Sequence, residues 1–275
     1  ILGKKVENKK MKVLCDIIVP SYVPISENEI YPLNCLRSIQ FYTKPGTYRI
    51  IWVNNGSKYF EKTEAMLADF NHITIKLPEN IGFVGATNKG LEVSDAKYVC
   101  LLNNDTVVSE HWLEKLINAL KRNPKLGIVG PVTAPSGVLK NYDSHHSVQH
   151  INDFANRKVF PKYKTLQDFN KKIEKKYPGH LAEISLVAFL CAVIRREVID
   201  KIGLLDAGYG MGMYDDNDYN LATRKAGWET KLLYDTCIIH FGRATFNVME
   251  QVEHFDVNGL IQRSKVYMDK KWANK

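Results

Sequence analysis

The sequence predicts an α/β fold, a mixed and mostly parallel sheet flanked by helices, with an irregular region late in the chain and a helical end. Over the first half, short runs rich in Val and Ile alternate with segments of helical periodicity, the pattern of parallel strands joined by helices. The runs stop abruptly at Pro, Ser, Asn, Asp or Gly, as buried strands do where their carboxyl ends open into a polar crevice. With 275 residues, 45% of them apolar, the chain can bury a full core, which excludes global disorder.

Residues 1–12 are polar and Lys-rich and are expected to form a flexible basic terminus. Residues 13–19 read as a first buried strand, closed by Pro20-Ser21-Tyr22, and Leu33, Leu36, Arg37 and Gln40 then follow helical spacing. Residues 48–53 form a second strand, closed by Asn54-Asn55-Gly56-Ser57. A helix over 61–70 is expected to turn Ala65, Met66 and Phe70 inward, before a short strand at 73–77. Small residues open a helix over 82–93, a fourth strand covers 98–102, and a helix covers 112–120. Residues 133–180 lack periodicity, and a stretch that long without elements is usually functional. Regularity returns with a strand at 184–194 and a short helix at 197–202 that ends at Gly203. A Gly-rich loop (208–213) leads into an acidic cluster, then a helix over 221–226, short strands at 232–234 and 237–239, and a helical tail over 248–268.

The net charge of +8 comes from Lys clusters near both ends and at Lys171, Lys172, Lys175 and Lys176. Such clusters attract phosphates or anionic lipid but are more often solvated surface, and no nucleic-acid-binding motif accompanies them. Of the five cysteines, four lie in strand-like runs and Cys35 in a helix, with no metal-type spacing; buried free thiols of a reducing, cytoplasmic protein fit best. The run 186–194 is too short to span a bilayer, and no signal peptide is expected ahead of the first strand.

Five constellations carry chemistry. Asn103-Asn104-Asp105 ends the fourth strand, where a carboxylate can hold a divalent cation and through it a diphosphate, or can simply turn the chain into the next helix. The ends of the first two strands, with Pro20, Tyr22 and Asn54, suit a nucleoside or are ordinary turns. Asn80-Ile81-Gly82, with Asn88 further along, opens a helix whose amino end favours phosphate, or whose small residues serve packing. Asp215, Asp216 and Asp218 crowd one another, which suits a general base, a metal ligand or a helix cap. His240 follows an apolar run at a site edge; His145, His146 and His150 have metal-like spacing but loop-like surroundings.

In this order the segments DIIVPSY (16–22), WVNNGS (52–57), ENIGFVGATNKGL (79–91), YVCLLNNDT (98–106), FLCAVIRREVIDKIGLLD (189–206), YDDNDYNLATRKAGW (214–228) and IIHFG (238–242) resemble the family 2 glycosyltransferases of the GT-A fold. The likeness is greatest to the bacterial branch with rhamnosyl- and galactofuranosyltransferase-like enzymes. The resemblance implies an enzyme with a nucleoside-diphosphate sugar donor, UDP- or dTDP-linked, Mn²⁺ or Mg²⁺ as cofactor, and inverting transfer to a hydroxyl of a glycan or lipid-linked acceptor. It makes Asp105 the metal ligand of a DxD-like motif, completed by His240. Asp216 becomes the base, with Asp215 in reserve, Asn54 the reader of the nucleobase, and Asn88 a polar group facing the diphosphate; Pro20, Tyr22, Gly82, Asn103 and Asn104 join the donor site.

Three positions depart from the family pattern. Asn54 stands for Asp, leaving the base open among uracil, thymine or another base; Asn103 stands for the first Asp of the motif, which weakens metal binding; Cys191 stands for a common Gly and narrows the acceptor side. The expected organisation is a donor half (13–132) and an acceptor and catalytic half (133–246) of one domain, followed by a helical tail (247–275), working in the cytoplasm with peripheral membrane contact as an option. The rival readings are a non-catalytic sugar-nucleotide or glycan-binding module and a nucleotidyltransferase. The second lacks the Gly-rich basic loop it needs after the first strand, where Pro20-Ser21-Tyr22 stands instead.

Overall fold

The structure is a computed structural model and describes residues 13–133, 166–242 and 244–273. Its strands are β1 (Cys15–Ser21), β2 (Tyr48–Asn55), β3 (His72–Leu77), β4 (Tyr98–Leu102), β5 (Thr106–Val108), β6 (Leu126–Thr133), β7 (Leu181–Glu183), β8 (Cys191–Arg195) and β9 (Glu229–His240). Its helices are α1 (Ile30–Tyr42), α2 (Glu61–Leu67), α3 (Gly82–Val93), α4 (Trp112–Arg122), α5 (Leu166–Lys176), α6 (Arg196–Ile202), α7 (Asp215–Lys225), α8 (Ala244–Val252) and α9 (Val257–Trp272). The strands form one sheet in the order β3-β2-β1-β4-β8-β6-β9-β5, with β7 also on β9. β1, β2, β3 and β4 pair in parallel and β6 and β9 in parallel, while β8 runs against both β4 and β6, so six strands share one direction.

Period-two alternation sorts the core into two layers. Ile17, Val19, Trp52, Cys100 and Leu102 face α1 and α4 through Leu36, Ile39, Trp112 and Leu116. Ile18, Ile51, Val53, Val99 and Leu101 face the other way, onto Val84 and Leu91 of α3 and Val198 and Ile199 of α6. A smaller cluster seats α5 on β6 and β9 through Phe169, Ile173, Val132 and Ile239. All five cysteines are free and buried. Asp16, fully buried at the start of β1, accepts both arms of Arg49 (2.8 and 2.9 Å), the Ser94 hydroxyl (2.7 Å) and the Asp95 and Ala96 amides (3.2 Å each). That knot fixes the entry of β1, β2 and β4, and breaking such a buried pair costs about 3–5 kcal/mol.

Several elements differ from the sequence expectation. The strand expected at 184–194 begins only at Cys191, because Val187 gives its N–H and C=O to the buried amide of Asn220 (3.0 and 2.9 Å) instead of to a neighbouring strand. The two short strands expected after Gly227 are one, β9, whose register against β6 jumps from Leu233 to Cys237; the polar Tyr234-Asp235-Thr236 is a bulge. In α2, Leu67 rather than Ala65 points inward, since the helix ends there and its buried face is Thr63 and Leu67. The expected unstructured stretch 133–180 contains α5, and β5, β6 and β7 were not anticipated. The tail is two helices, with Asp256 capping α9 through Gly259 N–H (2.8 Å). Residues 1–12, most of the 133–180 stretch and the His145, His146 and His150 trio lie outside the described residues.

A Cβ at Gly90 of α3 would sit 2.4 Å from Ile18 Cγ2, the closest approach of that helix to β1. Gly90→Ala should therefore destabilise the protein by about 1–3 kcal/mol through overpacking, measured as a lower urea midpoint with an unchanged slope.

Candidate active site

A cavity of about 500 Å³ opens at the carboxyl ends of β1, β2 and β4. Pro20, Ser21, Tyr22, Asn55, Asn80, Phe83 and Asn103-Asn104-Asp105 line it on the side of the parallel strands. Leu186, Ala188, Phe189 and Leu190 line it from the segment before β8, and Met211 to Asn217 from the Gly-rich loop and the start of α7. His240 closes it at the end of β9, and Thr245, Phe246, Met249, Val257 and Ile261 wall it from α8 and α9.

Each residue of the tripeptide after β4 has a distinct task. Asn104 donates its amide to Ser21 Oγ (3.0 Å), tying the ends of β4 and β1 together. Asn103 Nδ2 lies 3.2 Å from His240 Nε2, and the same nitrogen lies 3.2 Å from Asp105 Oδ1. The short β5–β9 pairing sets this meeting, since it aligns Thr106 with His240, and Phe241 N–H donates to Asp105 O (2.9 Å). Burial opposes ionisation of Asp105, but the charge and hydrogen bond of His240 and backbone N–H groups outweigh it and hold the carboxyl below its ordinary range. A carboxylate beside an imidazole nitrogen is a donor set that fits a divalent cation once the imidazole has given up its proton. Among the described residues no group of three or more His, Cys, Asp or Glu converges to hold a metal, so diphosphate oxygens and water would have to complete the coordination.

The acidic cluster is the first turn of α7 rather than a loop before it. Met213 and Tyr214, both non-glycine and both left-handed (φ 67° and 65°), turn the chain so that this helix end meets the cavity, a conformation that costs about 1–3 kcal/mol per residue. Asp216 is half-buried; burial pushes its carboxyl up to about 6, although the Asn217 amide (2.8 Å) and the Phe189 amide bond to it. Asp215 is pushed up further, by burial and then by the charges of Asp216 and Asp218. Asp218 is buried but does not line the cavity: it bonds to Lys271 (2.8 Å) and Trp272 (2.7 Å) of α9.

The structure thus gathers Pro20, Tyr22, Asn103, Asn104, Asp105, Asp215, Asp216 and His240 around one cavity. It leaves Asn54, Gly82 and Asn88 outside that lining. Asn54 Oδ1 accepts the Ser57 N–H (3.0 Å) in a turn, and its neighbour Asn55, on the opposite face of the strand, lines the cavity instead. The Asn55 amide donates to Asn80 Oδ1 (2.8 Å) and accepts from Ile81 N–H (3.0 Å). Gly82 (φ 83°) serves packing, because a Cβ there would meet Gly210 O at 2.4 Å. Asn88 uses both ends of its amide on the Leu205 backbone (2.8 and 3.0 Å), so it joins α3 to the loop after α6 and does not face the cavity. Cys191 is fully buried in β8 and narrows nothing. Tyr22 lines the cavity with its hydroxyl donated to Glu253 (2.5 Å), next to α8, a contact the sequence did not signal.

Residues 16–203 match the model of the family "Glycosyl transferase family 2", and the chain belongs to that family. It is 36% identical over 84 residues to the poly-β-1,6-N-acetyl-D-glucosamine synthase of Staphylococcus epidermidis, a match that covers 29% of this chain and 20% of the relative. In fold it is similar to GalNAc-T7 crystallised with UDP, GalNAc and Mn²⁺ (TM-score 0.58, 10% identity, 92% of this chain and 55% of that one). It is equally similar to residues 1–349 of TarS from S. aureus (TM-score 0.58, 11% identity, 94% of this chain and 72% of that one). The same TarS fragment solved with UDP-GlcNAc superposes at a TM-score of 0.55, with 12% identity over 95% of this chain and 73% of that one. These likenesses establish the GT-A architecture. No helix among the described residues is long and apolar enough to cross a membrane.

The assignment of Asn88 to the framework has a direct consequence. Asn88→Ala removes the partner of two backbone groups and should cost about 1–3 kcal/mol in denaturant unfolding. Affinity for a nucleoside diphosphate, measured by calorimetry below the melting transition, should stay within about twofold.

Proposed function

We propose that this protein is a metal-dependent, inverting glycosyltransferase that moves a hexosyl or deoxyhexosyl group from a UDP- or dTDP-linked donor to a hydroxyl of a glycan or lipid-linked acceptor. The observation that carries the reading is one cavity with two carboxyls displaced in opposite directions: Asp105 held ionised beside His240, and Asp216 raised to about 6. Environments that push two titratable groups apart assign them different roles. The series of motifs from 16 to 242 supports placing the chain near the rhamnosyl- and galactofuranosyltransferase-like branch.

In this reading Asp105 and His240 would hold Mn²⁺ or Mg²⁺, which would supply positive charge for the diphosphate leaving group. Tyr22, Asn55 and Asn80 border the nucleoside, taking the place expected of Asn54. Asp216 accepts the proton of the attacking hydroxyl as the anomeric carbon passes through an oxocarbenium-like state. Asp215, deeper and harder to ionise, keeps the first turn of α7 from carrying a second full charge beside the base. Phe246, Met249, Val257 and Ile261 exclude water from the acceptor side, so transfer competes with hydrolysis.

Asp105→Ala should abolish the Mn²⁺-dependent part of donor affinity and leave the metal-free part unchanged; an undiminished Mn²⁺ effect in calorimetry would remove Asp105 from the metal site. Asp216→Asn should retain donor binding and lose about 10²–10⁴-fold in transfer. Wild-type transfer should rise with pH through about 6, as the base form appears. The stability sign runs the other way, because a carboxyl raised above its unfolded value of about 3.9 favours the fold while protonated, and that contribution is lost as pH climbs through about 6. Asp216→Asn should therefore raise the melting temperature at pH 7 and leave it nearly unchanged at pH 4, and a scan of both proteins across that range checks the sign.

A further inference from the structure

The carboxyl end of the chain reaches back to the first turn of α7 and holds it from behind. Asp218, two residues from Asp216, is 4% exposed and gives one oxygen to Trp272 Nε1 (2.7 Å) and the other to Lys271 Nζ (2.8 Å). Lys271 Nζ also reaches Asp206 (2.6 Å), which accepts from the Tyr267 hydroxyl (3.2 Å) and caps the turn at Gly208 (2.9 Å). One turn earlier on α9, Ser264 donates to Gly212 O (3.2 Å). A single face of α9 therefore grips both the Gly-rich loop and the helix that presents the acidic pair.

We propose, resting on the assignment of Asp216 as the base, that Lys271 and Trp272 are positioning residues for the Asp215–Asp216 pair, holding Asp218 away from the cavity and offsetting part of its charge. Three acidic side chains share one helical turn, and each charge carried there makes the next harder to ionise, so Asp215 is pushed up by burial and, beyond that, by Asp216 and Asp218. The other groups around Asp218 do not supply the missing charge. Tyr209 is neutral, with its phenol pushed up by burial and then by Asp218. Asp206 is anionic, Tyr267 is neutral, and Lys225 lies over the Trp272 ring (5.6 Å). Lys271 is the cation the structure places on Asp218, and burial, which opposes its charge, is outweighed by Asp206 and Asp218. Without it, the charge of Asp218 bears unopposed on Asp215, which it already raises, and through Asp215 on its neighbour Asp216.

The test uses Lys271→Met, Lys271→Arg and Trp272→Phe in the full chain, with two readouts. The first is the pH profile of kcat/KM for turnover of a panel of UDP- and dTDP-sugars with Mn²⁺. The second, independent of activity, is the pH midpoint at which Asp216→Asn begins to raise the melting temperature, measured in each background. Lys271→Met should move both midpoints upward by roughly one unit, Lys271→Arg should restore them, and Trp272→Phe should move them by less in the same direction. Unmoved midpoints in Lys271→Met, with only a uniform loss of stability, would overturn the proposal. If Lys271→Met does not fold, unmoved midpoints in folded Trp272→Phe overturn it equally. A wild-type protein that turns over none of the sugar nucleotides speaks against the proposed function, while the melting readout still decides the role of Lys271.

Discussion

β4 lies between two strands of opposite direction, parallel β1 and antiparallel β8, and that constraint determines where chemistry can occur. A parallel neighbour brings the end of β1 beside the end of β4, so Ser21 can take the Asn104 amide. An antiparallel neighbour brings the beginning of β8 to the same place, so Leu190 O accepts the Asn103 N–H (2.9 Å) and the segment 186–190 folds over the opening. Donor-side and acceptor-side residues far apart in the chain therefore meet at one strand end. The side chains of β4 are all buried, and its register is protected because a one-residue slip would exchange its two core faces.

Electrostatic contrast follows from that geometry. Asp105 is buried but has an imidazole at 3.2 Å, and Asp216 is enclosed with only backbone N–H groups to oppose desolvation. Burial shifts Asp216 towards the neutral form, as happens to a group whose ionised state is poorly solvated. The molecule accepts this cost, together with the left-handed backbone at Met213 and Tyr214, at the one point where α7 must aim into the cavity. Asn220, one turn beyond Asp216, bonds both the Asp216 carbonyl (2.8 Å) and Val187, so it ties the first turn of α7 to the segment that faces it.

The strands that end in polar residues were legible because burial on both faces leaves an unbroken apolar run with a sharp stop, and the burial of four of the five cysteines followed from that pattern, Cys35 lying in α1. Single side chains were harder to read, since adjacent strand residues point to opposite faces: Asn54 and Asn55 have the same chemistry, and only the register decides that Asn55 faces the cavity. Asn88 looked like a ligand group because a helix-borne amide near small residues carries no sign of the distant Leu205 backbone it satisfies. The run 184–194 read as a strand because burial makes a run apolar whether its backbone pairs with a strand or with a side-chain amide. β6 escaped notice since Pro131 and its glycines break the strand pattern, yet Pro131 sits just before a bulge in the pairing with β9, where such a residue is tolerated.

The match to the family model ends at residue 203, and part of the cavity lining lies beyond it. Asp216 and His240 follow that boundary, and so does the apolar wall of Phe246, Met249, Val257 and Ile261. Those four side chains come from α8 and α9, which touch the sheet little and are held to the site by polar bonds: Tyr22 to Glu253, and Lys271 and Trp272 to Asp218. A wall fastened by a few directional bonds at its edges can change its apolar inner surface without disturbing the core beneath β1 and β4. Substitutions on the carboxyl-terminal helices can therefore reshape that wall of the cavity, while the side formed by the parallel strands remains fixed by their register.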